Sequence, residues 1–200
     1  MPRITAIKQQ QKLKDRYSVY VDDKYSFSLS ESALIESGIT SGVEVSSQQL
    51  EDYKRMSHDD KLWGKVLRYA ARRLRSEWEI HDYMRRNEAS EELSVRFIDR
   101  LRAIGMLNDQ YFAQVWVDNR TLLKPSSKRK LRLELMQKRI SEDIIREVLA
   151  DDVVDERQSL RDLVAKKRRQ TKYQDSEKLK QYLARQGFGF DDINAVLAED

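Results

Sequence analysis

One stretch, SSKRKLRLELMQKRISEDIIREVL (126–149), constrains this chain more than any other, because it reads as a complete pair of helices and recurs on both sides of itself. Ser127 offers a hydroxyl to the free N–H groups of a helix whose apolar residues Leu131 and Leu135 stand one turn apart, and Ile140 closes that helix. Ser141 starts a second helix, with Glu142 and Asp143 at the positive end of its dipole and Ile144, Val148 and Leu149 on one face. A shift of 51 residues towards the N-terminus lays Ser76, Ile80, Met84 and Ala89 on Ser127, Leu131, Leu135 and Ile140. A shift of 48 the other way brings Asp175, Leu179, Leu183 and Phe188 to the same places. In the second helix Ser90, Leu93, Phe97 and Ile98 match Ser141, Ile144, Val148 and Leu149, and Ile193, Val196 and Leu197 follow if one residue around Gly189 is inserted.

Room for one more helix precedes each pair, in KLWGKVLRYAARRLR (61–75), DQYFAQVWVDNRTLL (109–123) and DERQSLRDLVAKKRRQ (155–170). The fold class predicted is therefore mainly α: three tandem three-helix repeats. A three-helix unit this small buries little apolar surface alone, so neighbouring units are expected to stack into an elongated, curved array with a continuous core.

The residues before the repeats follow a different period. In RYSVYVDDKYSFSLS (16–30), Tyr17, Val19 and Val21, then Tyr25, Phe27 and Leu29, share one face if Val21 pairs with Tyr25 across a three-residue loop, Asp22 to Lys24. Residues 4–8 are a candidate third strand and Val43–Val45 a further short one, with a helix in ESALIES capped by Ser30 and ended by Gly38. A helix over 47–56 leads out, and the polar residues 57–60 are the expected boundary. The organisation predicted is a small β-hairpin-containing N-terminal module at 1–57, then repeats at 58–107, 108–152 and 153–200.

Charge is unevenly spread. Residues 61–200 hold 30 basic and 24 acidic side chains, whereas residues 1–60 hold 8 and 10, so the formal net charge of +4 comes from the repeats. The basic residues cluster near the junction of the first and second helices: Arg72, Arg73 and Arg75, then Lys124, Lys128, Arg129, Lys130 and Arg132, then Lys166, Lys167, Arg168 and Arg169. Equivalent junctions along an array form a discontinuous stripe suited to a polyanion, and nucleic acid fits better than a membrane surface. The competing reading is a solvated helix surface. Among the aromatics, Trp63, Tyr69 and Trp116 fall at helical spacing with apolar neighbours and belong to cores rather than to a base-stacking platform. Leu133 is an odd apolar residue within a basic surface.

Catalysis finds no apparatus in this sequence. There is no cysteine, the two histidines His58 and His81 have no second ligand at metal spacing, and no glycine-rich loop follows a strand. The chain reads as a non-enzyme with no cofactor or metal. No apolar run has the roughly 20 residues a membrane span requires, and MPRITAIKQQ is not a signal segment, so a cytoplasmic, monomeric protein is expected.

The stretches RYAARRLRSEWEIHDYMRR, GMLNDQYFAQVWVDNRTLLKPSSKRKLRLELMQKRI and KLKQYLARQGFGFDDINAVL resemble the bacterial RecX regulatory proteins over residues 59–198. The resemblance is carried by Arg75-Ser76-Glu77, Leu107 with Asp109, Phe112-Ala113, Trp116-Val117, Arg120, Lys124-Pro125, Glu134-Leu135 and Gly187-Phe188 in combination. Glu88 and Arg139 stand where the family often has the glycine that ends the second helix, and Gly187 keeps it. The resemblance implies a non-enzymatic modulator of RecA recombinase in DNA repair and the SOS response. Such a protein lies in the groove of the RecA filament across neighbouring subunits and suppresses ATP hydrolysis, strand exchange and co-protease activity. It also implies binding to single-stranded DNA, with double-stranded DNA as a further partner. A general nucleic-acid-binding protein acting through the basic stripe alone, without a RecA contact, is the alternative, and a protein scaffold with incidental basic charge is a third.

Overall fold

The computed structural model describes residues 1–123, 125–150 and 155–199. Its elements in chain order are β1 (Ile4–Gln9), β2 (Arg16–Val21), β3 (Lys24–Ser30), α1 (Glu31–Ser37), α2 (Ser47–Ala71), α3 (Glu77–Arg86), α4 (Glu91–Ala103), α5 (Asp109–Leu123), α6 (Lys128–Gln137), α7 (Glu142–Val148), α8 (Glu156–Arg168), α9 (Ser176–Arg185) and α10 (Phe190–Ala198). They divide into two compact units. The first comprises Met1–Arg73 with Asp82–Leu101, and the second comprises Leu74–His81 with the residues from Arg102 onward.

In the first unit β1, β2 and β3 form an antiparallel sheet in that order. The hairpin departs from the register predicted from its faces. Val21 pairs with Lys24 and Tyr20 with Tyr25, so the loop is only Asp22-Asp23, both at positive φ (48° and 63°). Two positive-φ residues follow the right-handed twist of the flanking strands, and Asp is one of the few side chains that tolerates the left-handed region. The register slips between Val19 and Tyr20, so that Val19 faces Phe27 and Ser26 is the extra residue. Phe27 and Leu29 thus keep their inward face while Tyr25 turns to solvent, packing edge-on to Tyr20 at 6.2 Å. The proposed strand at Val43–Val45 is reduced to a single bridge between Glu44 and Arg3. Ser30 caps α1 and Gly38 ends it at φ 64°, as expected.

The helix leading out does not stop at the polar residues 57–60. One helix of 25 residues, α2, runs through them from a capping box formed by Ser46 and Gln49. The polarity there has an internal use. The Ser57 hydroxyl donates to the Ser28 carbonyl at 2.7 Å, and the Asp60 carboxylate accepts from the Ser30 N–H at 2.9 Å and its hydroxyl at 2.5 Å, and pairs with Arg16 at 2.9 Å. Those side chains fasten α2 to the sheet, whose core of Ile4, Val19, Val21, Phe27, Leu29, Ile39 and Val45 is covered by Leu50 and Tyr53.

The repeats carry the expected caps. Ser76, Ser127 and Asp175 accept bonds from the first turns of α3, α6 and α9. Each of these helices ends on a left-handed residue, Glu88 (φ 61°), Arg139 (φ 57°) and Gly187 (φ 92°). The N–H groups of Ala89 and Ile140 then reach back to the Met84 and Leu135 carbonyls, as in a Schellman closure. The terminating geometry thus persists where glycine is replaced.

The third helices correct one alignment. Ser90, Ser141 and Gly189 are the residues before α4, α7 and α10, and each directly follows Ala89, Ile140 or Phe188, so no residue is inserted at Gly189. The buried residue four places on is Ile145 in the middle repeat, equivalent to Ser94 and Ile193, and Ile144 is only half-buried. Val148, Phe97 and Val196 form the next buried layer.

Repeats two and three of the second unit enclose separate apolar clusters. One gathers Phe112, Val117, Leu131, Leu135, Ile140, Ile145 and Val148, and the other Leu160, Leu163, Leu179, Leu183, Phe188, Ile193 and Val196. This differs from the continuous core expected. Among the described residues, the contacts that join neighbouring repeats of the second unit include several polar ones.

Candidate filament and nucleic-acid interface

The polar joint occurs twice within the second unit, in the same form. The backbone N–H of the first residue of α3, Glu77, donates to the carboxylate of Asp109, the first residue of α5, at 2.8 Å. The N–H of Lys128, the first residue of α6, donates to the carboxylate of Glu156, the first residue of α8, at 3.0 Å. Two residues on, the Lys138 ammonium pairs with Glu79 at 2.9 Å, and the Lys130 ammonium donates to the side-chain oxygen of Gln186 at 2.5 Å. Gln186 also accepts, through its carbonyl, a bond of 2.8 Å from the Ser127 hydroxyl. A Cβ on Gly187 would collide with that hydroxyl, so glycine is required there for close approach as well as for its φ.

Several of the basic residues expected to form a stripe have partners within the chain. Lys130 is committed to Gln186, and Arg132 pairs with Glu142 at 2.7 Å on the surface. At the C-terminal end of α8, Lys166 donates to the Leu123 carbonyl at 3.1 Å, and Lys167 lies over the rings of Tyr182 (4.7 Å) and Tyr173 (5.3 Å). Arg168 donates to the Gln174 carbonyl at 2.9 Å and to the Ser176 hydroxyl at 3.3 Å, tying down the segment between α8 and α9. Cations at the end of α8 also complement its dipole. Arg129 and Arg169 are exposed in the second unit, Arg72 and Arg73 are exposed in the first, Lys128 and Arg75 are half-buried, and Lys124 lies outside the described residues.

Trp63, Tyr69 and Trp116 serve packing, as expected, whereas Trp78 and Tyr111 are exposed. Trp63 lies 5.1 Å from Phe97, Tyr69 stacks on Tyr83 at 4.0 Å, and the Trp116 indole N–H donates to Glu134 at 2.9 Å. Arg120 reaches the same carboxylate at 2.8 Å while lying over the indole. Sequence reasoning missed the joint residues Glu79, Asp109, Lys138, Glu156 and Gln186. A signal was available in the helix-start carboxylates Asp109 and Glu156 at matching places, but Glu-Lys in one joint becomes Lys-Gln in the next, which hides the equivalence.

Burial beside Glu77 and Glu79 holds the Asp109 carboxyl above its ordinary range, with burial the larger cause; the Glu77 N–H and Arg102 oppose it. Among the described residues no group of three His, Cys, Asp or Glu stands where it could hold a metal ion, and no helix is long and apolar enough to cross a membrane.

Four family models match in tandem: the regulatory protein RecX N-terminal domain at residues 2–46, and the first, second and third three-helix domains of RecX at 63–101, 108–149 and 155–197. The regulatory protein RecX of Bacillus subtilis is 30% identical over 202 residues, covering 98% of this chain and 76% of its own length. The chain belongs to the RecX family. RecX of Lactobacillus gasseri is 32% identical over 149 residues, but this chain spans only 55% of that relative's length. A crystal structure of regulatory protein RecX aligns with a TM-score of 0.78 at 24% identity, covering 99% of this chain and all of that one. RecX from Lactobacillus salivarius aligns with a TM-score of 0.60 at 23% identity over 71% of this chain and 96% of that one. The first of these shares the whole fold, a small antiparallel sheet followed by three three-helix domains, and the second shares the part that it covers.

Proposed function

We propose that this chain is a non-catalytic regulator of RecA: it binds the RecA filament formed on single-stranded DNA and lowers its ATP hydrolysis, strand exchange and co-protease activity. The observation that carries this reading is the tandem match of all three RecX three-helix domains between residues 63 and 197. The basic excess of the repeats supports an auxiliary contact with DNA. We assign the filament-facing and DNA-facing roles to Arg72, Arg73, Arg75, Lys124, Lys128, Arg129, Lys130, Arg132, Lys166, Lys167, Arg168 and Arg169 as a set, with exposed Arg72, Arg129 and Arg169 the most available to a partner.

Assembly of RecA on single-stranded DNA, followed by light scattering, tests the reading. Added protein is expected to slow growth or reverse it. An unchanged scattering trace at equimolar protein contradicts it. The exposed cations also favour the second reading, general nucleic-acid binding. Affinity for naked single strands equal to that for RecA-coated ones, with inhibition abolished by excess free DNA, selects that alternative.

A further inference from the structure

The outward face of α6 carries Arg129, Arg132, Leu133 and Met136 at positions i, i+3, i+4 and i+7, which lie together on one side of a helix. Leu133 is 51% exposed and Met136 47%, and the same helix buries Leu131 and Leu135 on its other side. The three repeats provide an internal control. Counted from the capping residue, the equivalents of Leu133 are Asp82 in α3 and Gln181 in α9, and those of Met136 are Arg85 and Ala184. The whole equivalent face of α9 is Glu177, Lys180, Gln181 and Ala184. A second helix of this fold therefore forms without two large apolar side chains at these places, although α3 exposes Trp78 where α6 has Arg129, so the fold itself does not call for Leu133 and Met136.

We infer that this face of α6 is a protein-docking surface whose partner presents carboxylates beside an apolar pocket. The pairing of chemistry decides between the two polymers of the filament. Phosphates satisfy Arg129 and Arg132 but leave Leu133 and Met136 in water. A protein surface with acidic side chains flanking an apolar hollow satisfies all four, the guanidinium groups meeting carboxylates two-pronged and the leucine and methionine entering the hollow. Arg132 already pairs with the Glu142 carboxylate through a single contact of 2.7 Å on the surface, so a carboxylate is a partner that this guanidinium takes in this place. The inference rests on the filament-binding reading. It places two cations of the basic stripe, Arg129 and Arg132, against RecA itself and leaves the DNA contacts to the others.

The test compares binding of the full chain to RecA-coated single-stranded oligonucleotide and to the same oligonucleotide uncoated. Two variants are used, Leu133→Ser with Met136→Ser, and Arg129→Ala with Arg132→Ala. All four positions are solvent-exposed, and melting curves verify that the fold is kept. The apolar pair is expected to weaken filament binding about tenfold or more, since each side chain loses the burial of the apolar surface that it exposes in the free chain. The arginine pair is expected to weaken filament binding by a larger factor than it weakens binding to uncoated DNA, and the apolar pair is expected to keep wild-type affinity and salt dependence on uncoated DNA. An apolar pair that binds filaments like the wild type overturns this inference and leaves the filament reading intact. So does an arginine pair whose loss on uncoated DNA equals its loss on filaments, which makes the face a phosphate contact. A wild-type protein that binds coated and uncoated strands equally overturns both.

Discussion

Glu79 and Lys138 meet at 2.9 Å across 59 residues of sequence, and Lys130 and Gln186 occupy the same two places one repeat further along. Glu79 is at once the joint and the cap: one carboxylate oxygen holds Lys138 while the other accepts from the Ser76 N–H, and the Ser76 hydroxyl accepts from the Glu79 N–H in return. The end of a helix and the contact between repeats are thus the same few atoms. Removing Lys138 leaves a largely buried carboxylate without that partner. Lys138→Ala is expected to cost about 1–3 kcal/mol, and Glu79→Gln made on top of it much less than in the wild type. Urea melts of the two single variants and the double one measure the coupling, and strictly additive losses contradict the joint.

The same left-handed position is occupied by Glu88, Arg139 and Gly187, and its three occupants should respond in opposite directions. Glu88→Gly and Arg139→Gly each relieve a non-glycine residue at positive φ and are expected to raise stability by up to about 1 kcal/mol, less the extra entropy of a glycine in the unfolded chain. Gly187→Ala adds that strain and drives a methyl group into the Ser127 hydroxyl, so a loss of about 2 kcal/mol or more is expected. Thermal melts of the three variants give the signs directly.

Leu135 is fully buried among Phe112, Leu131 and Val148, and Leu135→Ala is expected to cost about 2–5 kcal/mol if the cavity stays open. From sequence Ser127 is a cap worth about 1 kcal/mol. In the structure it caps α6 and also donates to Gln186, so Ser127→Ala is expected at the upper end of the capping range, about 2 kcal/mol. Urea denaturation distinguishes the two values.

Asp109 gives the pH dependence of the joint a definite sign. Its folded-state pKa is raised, chiefly by burial, so the folded protein holds that proton more tightly than the unfolded chain. Its contribution to stability is fully present below the ordinary Asp value of 3.8 and is lost as pH rises through the raised value. Asparagine keeps an oxygen to accept the Glu77 N–H and removes the buried charge. Asp109→Asn is therefore expected to match or exceed wild type at neutral pH, with the advantage disappearing as pH falls past that window. Asp175, whose pKa is lowered first by the Lys178 N–H, acts in the opposite sense, and its contribution is lost as pH falls through its depressed value. Melts from pH 3 to pH 7 separate the two.

What the sequence made legible was whatever the repeat forces to recur in kind: the caps Ser76, Ser127 and Asp175, the buried pairs Ile80 and Met84, Leu131 and Leu135, Leu179 and Leu183, and the closing residues before each third helix. Ile145 was missed because Ile144 beside it is equally apolar, and only the helix start decides which of two adjacent residues points inward. The hairpin register was missed because face-matching alone cannot see that a two-residue Asp-Asp turn and a bulge at Ser26 achieve the same faces. The stretch 57–60 reads as a boundary because it is polar, when Ser57 and Asp60 are polar in order to bond Ser28, Ser30 and Arg16. Among the basic residues, sequence shows the charge but not which cations, such as Lys130 and Arg168, have partners within the chain.

For DNA binding Arg72 and Arg169, both exposed, give the cleanest variants. Arg72→Ala with Arg169→Ala is expected to leave melting unchanged and to reduce the salt slope of single-stranded DNA binding by about 0.7 for each phosphate that the variant no longer neutralises. An unchanged slope assigns both residues to solvation.

The most direct test of the central claim is RecA-dependent ATP hydrolysis on single-stranded DNA, titrated with this protein over preformed filaments. Each bound copy is proposed to restrain neighbouring subunits, so hydrolysis is expected to fall to its floor at fewer than one copy per RecA subunit, with stronger inhibition at low salt. Hydrolysis that is unchanged at equimolar protein contradicts the account.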